Sequence, residues 1–445
     1  MNERLRLDVW MDGLPIPAGA LVAHADDTLR FSYNDDYFAA GGGPLSLSFP
    51  LGVRTFGDLP SRAFFGNLLP ENNQIQRIRE REGLEANDVA GILYHMGADC
   101  SGAISCVPAG SPSAKIPGNL ATDYIPLSDN EIAEIMVSLA DHARLPDATR
   151  DPSPLAGVQG KLAITVLPDG RWALPNPDLK VPTTHILKVP PRGDAGDAKL
   201  EEAACILARE VGFETSVPTA LRIADREGML ITRFDRLVHD GVVTRVHQED
   251  FTQALGLPAS LKYQRKGEEG RRFYAPAIAN LLAATAQPAK ARETFLLATL
   301  FHLAVGNSDN HGKNHGLLYS AGNFPLLSPL YDILPVRMIE RYTHQLAFDI
   351  GTAKFAEDIT AVDFIFFFET FGLRGAGLRR FVERAVRPML ERLEAASANL
   401  PGRGLKSFDD FIGQELERLS QTLEIGMQFR ERDYFTPKGG GWTAA

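Results

Sequence analysis

Apolar and polar positions alternate in different ways along this chain, and the alternation predicts its elements. From residue 5 to residue 50, short apolar runs such as Leu5-Leu7-Val9 and Leu29-Phe31 are broken by Gly, Asp and Pro, which predicts a small β-rich unit. Phe64 to Glu71 leads into a charged helical stretch with Ile75, Ile78 and Arg79. Cys100-Ser101-Gly102-Ala103-Ile104 predicts a closing strand, and Pro108 to Asn119, rich in Pro, Ser, Gly and Ala, predicts a linker. Ser128-Asp129-Asn130-Glu131 fits a capping box ahead of Ile132, Ile135 and Met136, so a helix is expected to start at Ser128. Strands are expected at Leu162 to Leu167, at His185 to Val189 and at Leu230 to Thr232, and a helix at Glu201 to Arg209. From Phe251 onward the pattern is mostly helical with polar breaks. Lys266 to Gly270 is one such break and is expected to be mobile; the Gly439 to Gly441 tail is expected to be disordered.

Composition changes this picture little. At 445 residues with 44% hydrophobic and 23% charged residues, the chain is long enough for two or three domains with their own cores. No stretch is apolar over the ~18 residues of a membrane span, and Met1-Asn2-Glu3-Arg4-Leu5-Arg6 is too polar for a signal peptide, so a cytoplasmic location is expected. Cys100, Cys106 and Cys205 show no Cys-x-x-Cys spacing and read as buried thiols. A net charge of −10 argues against a large basic surface. Arg379, Arg380, Arg384 and Arg387, on a predicted helix, read as a solvated face.

Candidate chemistry centres on Phe301 to Asn314 and on Tyr331-Asp332. The nearly continuous apolar run from Thr294 to Val305 predicts a buried helix, which would hold the loop after it rigidly. That loop offers a carboxylate, Asp309, and an amide five residues on, Asn314. A predicted hairpin, Gly316 to Tyr319 and Phe324 to Leu327 around Gly322-Asn323, then returns a second carboxylate, Asp332. Protein kinases present their catalytic base and two magnesium ligands in this order, because the base accepts a hydroxyl proton and the cations need hard oxygen ligands. The spacing alone is weak, since an Asp and an Asn five apart occur by chance in chains this long. Upstream, Lys188 lies among apolar strand residues and is either a snorkelling edge residue or a fixed cation aimed at an anion; Glu202 on the following helix is placed to pair with it. Gly157 and Gly160 flank a strand and permit close approach to phosphate, although an ordinary turn fits them as well. Leu230 to Arg236 reads as a strand ending in a charged crossover, a hinge between lobes.

Eight separated motifs, taken together and in order, resemble the HipA family, serine/threonine kinase toxins of bacterial toxin–antitoxin modules. They are Phe64 to Glu71, Gly157-Val158-Gln159-x-Lys161, Thr184 to Lys188, Arg233-Phe234-Asp235-Arg236, Gln248-Glu249-Asp250, Gly256 to Tyr263, Asp309-x-His311-Gly312-Lys313-Asn314 and Pro329 to Asp332. The resemblance implies an α+β, protein-kinase-like bilobal fold: an N-terminal β-containing subdomain (1–107), a nucleotide-binding N-lobe (120–235) and a mostly helical C-lobe (236–435). It implies ATP and Mg2+ as cofactors, with Asp309 as catalytic base, Asn314 and Asp332 as magnesium ligands and Lys188 contacting phosphate. Gly157, Val158 and Gln159 would form the phosphate loop, Thr232 and Phe234 would line the adenine hinge, and Gln248, His311 and Tyr331 would lie near the nucleotide. The implied substrate is an aminoacyl-tRNA synthetase, and the implied partner a HipB-like helix-turn-helix antitoxin that supplies most of the DNA contact. One departure stands out, because family members usually carry an autophosphorylated Ser three residues before the loop glycine, where this chain has Pro154. Ser153 is available, but Pro152 and Pro154 restrict its backbone, so self-phosphorylation there is expected to be slow and between molecules.

Two other readings compete. His311-x-x-x-His315 beside Asp309 could belong to a zinc hydrolase, although Gly312 argues against the helix that would put both rings on one face and no Glu follows the first His. A degraded kinase fold could serve as a corepressor in an antitoxin–DNA complex, but such a chain would have lost the base or a metal ligand, and this one retains all three.

Overall fold

The computed structural model describes residues 2–69, 73–112, 115–146, 149, 160–194, 196–319 and 323–435. The loop residues Ser153, Pro154, Gly157, Val158 and Gln159, the turn residue Gly322 and the glycine tail fall outside that set. Two compact units form, one from Met1–Ala198, Pro218–Ser260 and Gly316–Leu326, the other from Lys199–Val217, Leu261–His315 and Leu327–Ala445. Both are discontinuous in sequence. Among the described residues no helix is long and apolar enough to cross a membrane, and Cys100, Cys106 and Cys205 are buried thiols.

Among the described residues the first unit holds four sheets. A five-stranded antiparallel sheet runs in the order Thr55–Phe56, Leu29–Tyr33, Gly19–His24, Glu3–Met11, Ile104–Pro108. Alternate residues Leu7, Val9, Leu21 and Phe31 face a core shared with Phe49, Phe64 and Phe65, and the Phe31 and Phe49 rings stack at 5.3 Å. The closing strand is Ile104–Pro108, further along the chain than the predicted run from Cys100 to Ile104. Its pairing begins at Ile104 because Gly102 turns the chain in the left-handed region (φ +70°), where a Cβ would also lie 2.6 Å from the Gln248 nitrogen.

The second sheet is six-stranded and antiparallel, ordered Thr219–Ile223, Arg226–Thr232, His185–Val189, Gly160–Val166, Trp172–Pro175, Tyr124–Pro126. The helix Asp129–His142 packs on one face, its Ile135, Met136 and Leu139 meeting Leu162, Ile164, Leu187 and Val189. The predicted capping box is present: the Ser128 hydroxyl accepts from Glu131 N, and the Glu131 carboxylate accepts from Ser128 N at 2.8 Å. Residues opposite one another across an antiparallel ladder share a face. Lys188, opposite Lys161 and Met229, therefore lies on the side away from the helix-covered core. A third sheet orders Arg236–His239, Val242–Arg245 and Gly118–Asn119, and a fourth orders His247–Asp250, Gly316–Tyr319 and Leu326–Leu327.

The second unit is mostly helical, built on Ala275–Ala283, Pro288–Val305, Ala361–Thr370, Arg387–Ser397 and Lys406–Thr422. Pro288–Val305 is buried along nearly its whole second half, as its unbroken apolar run predicts. Gly306 ends it in the left-handed region (φ +78°), and Asn307 N reaches back to the His302 carbonyl at 2.9 Å. A Cβ at Gly306 would sit 2.6 Å from the Phe411 ring, so this turn needs glycine twice over. Within the break at 266–270, Lys266 closes a short 3-10 turn and Glu268 bridges to Arg271. Arg379, Arg380 and Arg384 are exposed along the helical run that begins at Gly375, while Arg387 pairs with Glu383 at 2.9 Å.

Candidate active site

In the second unit the loop after Gly306 is knotted by its own polar groups. The His302 ring, whose pKa burial pushes down to about 3, is neutral, so its Nδ1 accepts from Asn307 Nδ2 at 3.2 Å. Asn307 Oδ1 in turn accepts from Asp309 N at 3.0 Å. The Asp309 carbonyl receives both His311 N and Asn314 Nδ2 at 2.8 Å, and Asn314 N donates to His311 O at 2.8 Å. A single 3-10 turn over Gly312–Asn314 makes this possible: the side chain five residues on reaches back to the main chain of Asp309. Two neighbours pin the loop from outside, Ser308 O accepting from Ala347 N at 3.1 Å and Lys262 O from Gly312 N at 3.0 Å.

The Asp309 carboxylate accepts a hydrogen bond from the Tyr263 hydroxyl at 2.6 Å. Burial raises its pKa above the ordinary carboxylate range; the Tyr263 bond and the cations Lys262 and Arg265 oppose this, and the charge of Asp332 adds to it. The Tyr263 ring lies under the Arg265 guanidinium at 3.9 Å and meets the His311 ring edge-on at 4.9 Å. Burial, followed by Lys262, pushes His311 down to about 3, so the ring is neutral at physiological pH.

Asp332 reaches this cluster by a separate route. Leu330 N donates to Glu214 O and Ser216 N to Leu330 O, both at 2.8 Å, and the Tyr331 hydroxyl donates to Lys313 O at 2.9 Å. The next residue, Asp332, is held in the left-handed region (φ +56°), which Asp tolerates better than most side chains and which costs energy wherever it is imposed. The donor set fits magnesium. With Nδ2 committed to Asp309, Asn314 presents its oxygen, Asp332 adds a carboxylate, and Mg2+ is usually bound by one or two carboxylates together with substrate phosphates. Zinc geometry at His311 and His315 is not formed, since a 3-10 turn separates them and the His315 Nε2 meets Asn310 O at 3.0 Å beside Phe273 and Phe295.

The first unit carries the remaining candidates. Lys188 is 4% exposed on its strand, whereas Lys161 opposite it is half-buried. Thr232 is exposed at a strand end, with its hydroxyl 3.2 Å from His185 Nε2; burial pushes that ring down to about 4. Phe234 is half-buried, and Gln248 Nε2 donates to Asp235 at 3.4 Å.

Sequence reasoning missed three features here. The charges of Arg233 to Arg236 form a buried network: Arg233 grips Asp235 with two bonds at 2.9 Å, Arg236 pairs with the same carboxylate at 2.8 Å, and Asp99 takes Arg245 at 3.1 Å and Lys115 at 3.3 Å. On the helix that carries both, Glu201 is the buried carboxylate while Glu202 bonds Arg403 at 3.1 Å, because apolar spacing does not fix a helix's rotation to within one residue. Tyr263 gave no signal as a partner of Asp309; only its place in a motif singled it out.

Matches to known proteins show the family of this chain. The HipA N-terminal domain model matches residues 7–107, and the HipA-like C-terminal domain model matches residues 153–398. Y4mE of Sinorhizobium fredii is 34% identical over 352 residues, 78% of this chain and 80% of its own length. The serine/threonine-protein kinase toxin HipA of Shewanella oneidensis is 29% identical over 386 residues, 83% of this chain and 84% of that protein. In the solved complex of HipA, HipB and operator DNA from Shewanella oneidensis MR-1, one chain superposes with a TM-score of 0.77 at 26% identity, covering 94% of this chain and 97% of that one. The mixed helix-and-sheet architecture is thus the kinase-like fold that the motifs implied. With both domain models matched and the likeness running through nearly the whole chain, the protein belongs to the HipA-like serine/threonine kinase toxin family.

Proposed function

We propose that this chain is a serine/threonine protein kinase that moves the γ-phosphoryl group of ATP, with Mg2+, to a hydroxyl on another protein. The observation that carries the reading is the tie between Asn314 and the main chain of Asp309, with Asp332 held in a costly backbone conformation beside them. Asp309 accepts the proton of the acceptor hydroxyl as its oxygen attacks phosphorus. Asn314 and Asp332 would hold the metal, which would neutralise phosphate charge. Lys188, fixed by its strand, contacts phosphate, with Gly157, Val158 and Gln159 as the phosphate loop. Thr232 and Phe234 line the adenine, and Gln248, His311 and Tyr331 flank the nucleotide.

Following the family, the acceptor is an aminoacyl-tRNA synthetase, the outcome is growth arrest, and the neutralising partner is a HipB-like antitoxin that carries most of the DNA contact. The test is to incubate purified protein with ATP, Mg2+ and a synthetase panel, then map phosphosites by mass spectrometry, with the Asp309→Asn variant as control. Phosphate on a serine or threonine of one synthetase, absent with the variant, is the expected result. Binding to an antitoxin–DNA complex with no transfer to any protein would favour the corepressor reading instead.

A further inference from the structure

We propose that Tyr263 is a positioning residue for this transfer: its hydroxyl anchors one oxygen of Asp309 and so turns the other toward the acceptor hydroxyl. The inference rests on the reading of Asp309 as the base. A carboxylate side chain rotates about two bonds, and a base that must meet a hydroxyl in one geometry gains rate when that freedom is removed before the acceptor arrives. Here the anchor is a short bond from a neutral phenol to a carboxylate, Tyr263 Oη to Asp309 Oδ1 at 2.6 Å.

The anchor is itself fixed. On one side of Tyr263 the Lys262 carbonyl holds Gly312 N at 3.0 Å. On the other, Gln264 N donates to Ala347 O at 2.8 Å, and the Gln264 amide and Asp349 exchange two bonds, Nε2 to Oδ2 at 2.7 Å and Asp349 N to Oε1 at 2.9 Å. Arg265 above the ring and His311 at its edge limit how it can tilt. Asp309 is fixed from its own side by Asn307 and Asn314. Both ends of the 2.6 Å bond therefore belong to rigid pieces of chain that lie 46 positions apart. Tyrosine suits the task because its hydroxyl stays protonated through the neutral range and donates to an acceptor-only carboxylate. The competing role for the same contact is occlusion, with the phenol standing where the acceptor hydroxyl belongs.

The experiment compares full-length wild type, Tyr263→Phe, Asp309→Asn and the double variant. Transfer to the synthetase that the panel identifies is measured alongside phosphate release to water, MgATP affinity and Tm. Positioning predicts that Tyr263→Phe lowers kcat about tenfold to a hundredfold, leaves both KM values and MgATP affinity as in wild type, and has no further effect when Asp309 is already Asn. An unchanged or raised kcat would overturn the inference, the latter in favour of occlusion, as would a loss that appears in KM or that persists in the Asp309→Asn background. If wild type binds MgATP but transfers to neither protein nor water, the kinase reading fails and this inference with it. If Asp309→Asn matches wild type, the base is elsewhere and Tyr263 has no role through it.

Discussion

Each compact unit buries carboxylates among cations, and the two clusters treat those charges in opposite ways. In the first unit, burial by itself would raise the carboxyls of Asp99 and Asp235, yet Lys115, Arg236 and Arg245 around the one and Arg233 and Arg236 around the other hold both below the ordinary range. In the second unit burial prevails at Asp309, whose pKa is raised despite Tyr263, Lys262 and Arg265. A carboxylate surrounded by paired arginines is spoken for and serves the fold, whereas one left under-compensated beside a second carboxylate is ready to take up a proton or a cation.

The strongest test of this contrast is Asp309→Asn, which should cut phosphoryl transfer by about 10²–10⁴-fold while Tm holds or rises, because a poorly compensated charge has been removed. MgATP affinity should hold in that variant but fall in Asp332→Ala. Kinetics, nucleotide titration and thermal melts on the same samples decide it, and transfer near wild type in either variant would contradict the assignment.

The converse test is Asp235→Ala, which leaves Arg233 and Arg236 buried without their main partner. It should cost about 3–5 kcal/mol of stability, read as a lower denaturation midpoint. A neutral result would mean that the network is not what ties this region together.

Lys188 and Lys161 sharpen the comparison within one sheet face. Lys188→Ala should weaken MgATP use by about tenfold or more, the range of a lost charge-assisted bond, and Lys161→Ala by less, since Lys188 is fixed by burial and Lys161 is not. Equal losses, or a larger one at Lys161, would reverse their roles.

The smallest effect concerns Glu249, buried where Ser46 Oγ, Leu47 N and Tyr319 Oη bond its carboxyl. Burial raises it to about 7 from an ordinary value of 4.5. A group whose pKa is raised on folding stabilises the fold fully below its unfolded pKa, and that contribution is lost as pH rises through the folded one. Tm should therefore fall between pH 5 and pH 8 by an amount that shrinks in Glu249→Gln, measured as the difference between the two melting profiles; parallel profiles would exclude Glu249 as a source of that fall.

Much of the local structure was legible because its causes are local. The capping box at Ser128 formed as expected, as did the strand His185–Val189 and the buried helix before the loop, since side-chain chemistry a few residues apart dictates each. The order Asp309, Asn314, Asp332 could be read for the same reason. Sequence could not supply Gly102, which looks like an interior strand residue until Gln248 is found against it, or which of Glu201 and Glu202 is buried, which depends on helix rotation.

What the sequence by itself determined about this protein is therefore its elements, its family and the identities of the groups available for chemistry, all of which follow from short-range pattern and motif order. The tertiary structure alone decided how those groups are charged and aimed. Arg233, Asp235 and Arg236 read as a charged hinge until Asp99, Lys115 and Arg245 closed around them, and Asp309 read without its tyrosine until Tyr263 was brought to 2.6 Å from 46 residues away. Burial and through-space charge set these properties, and both depend on which distant segments pack together.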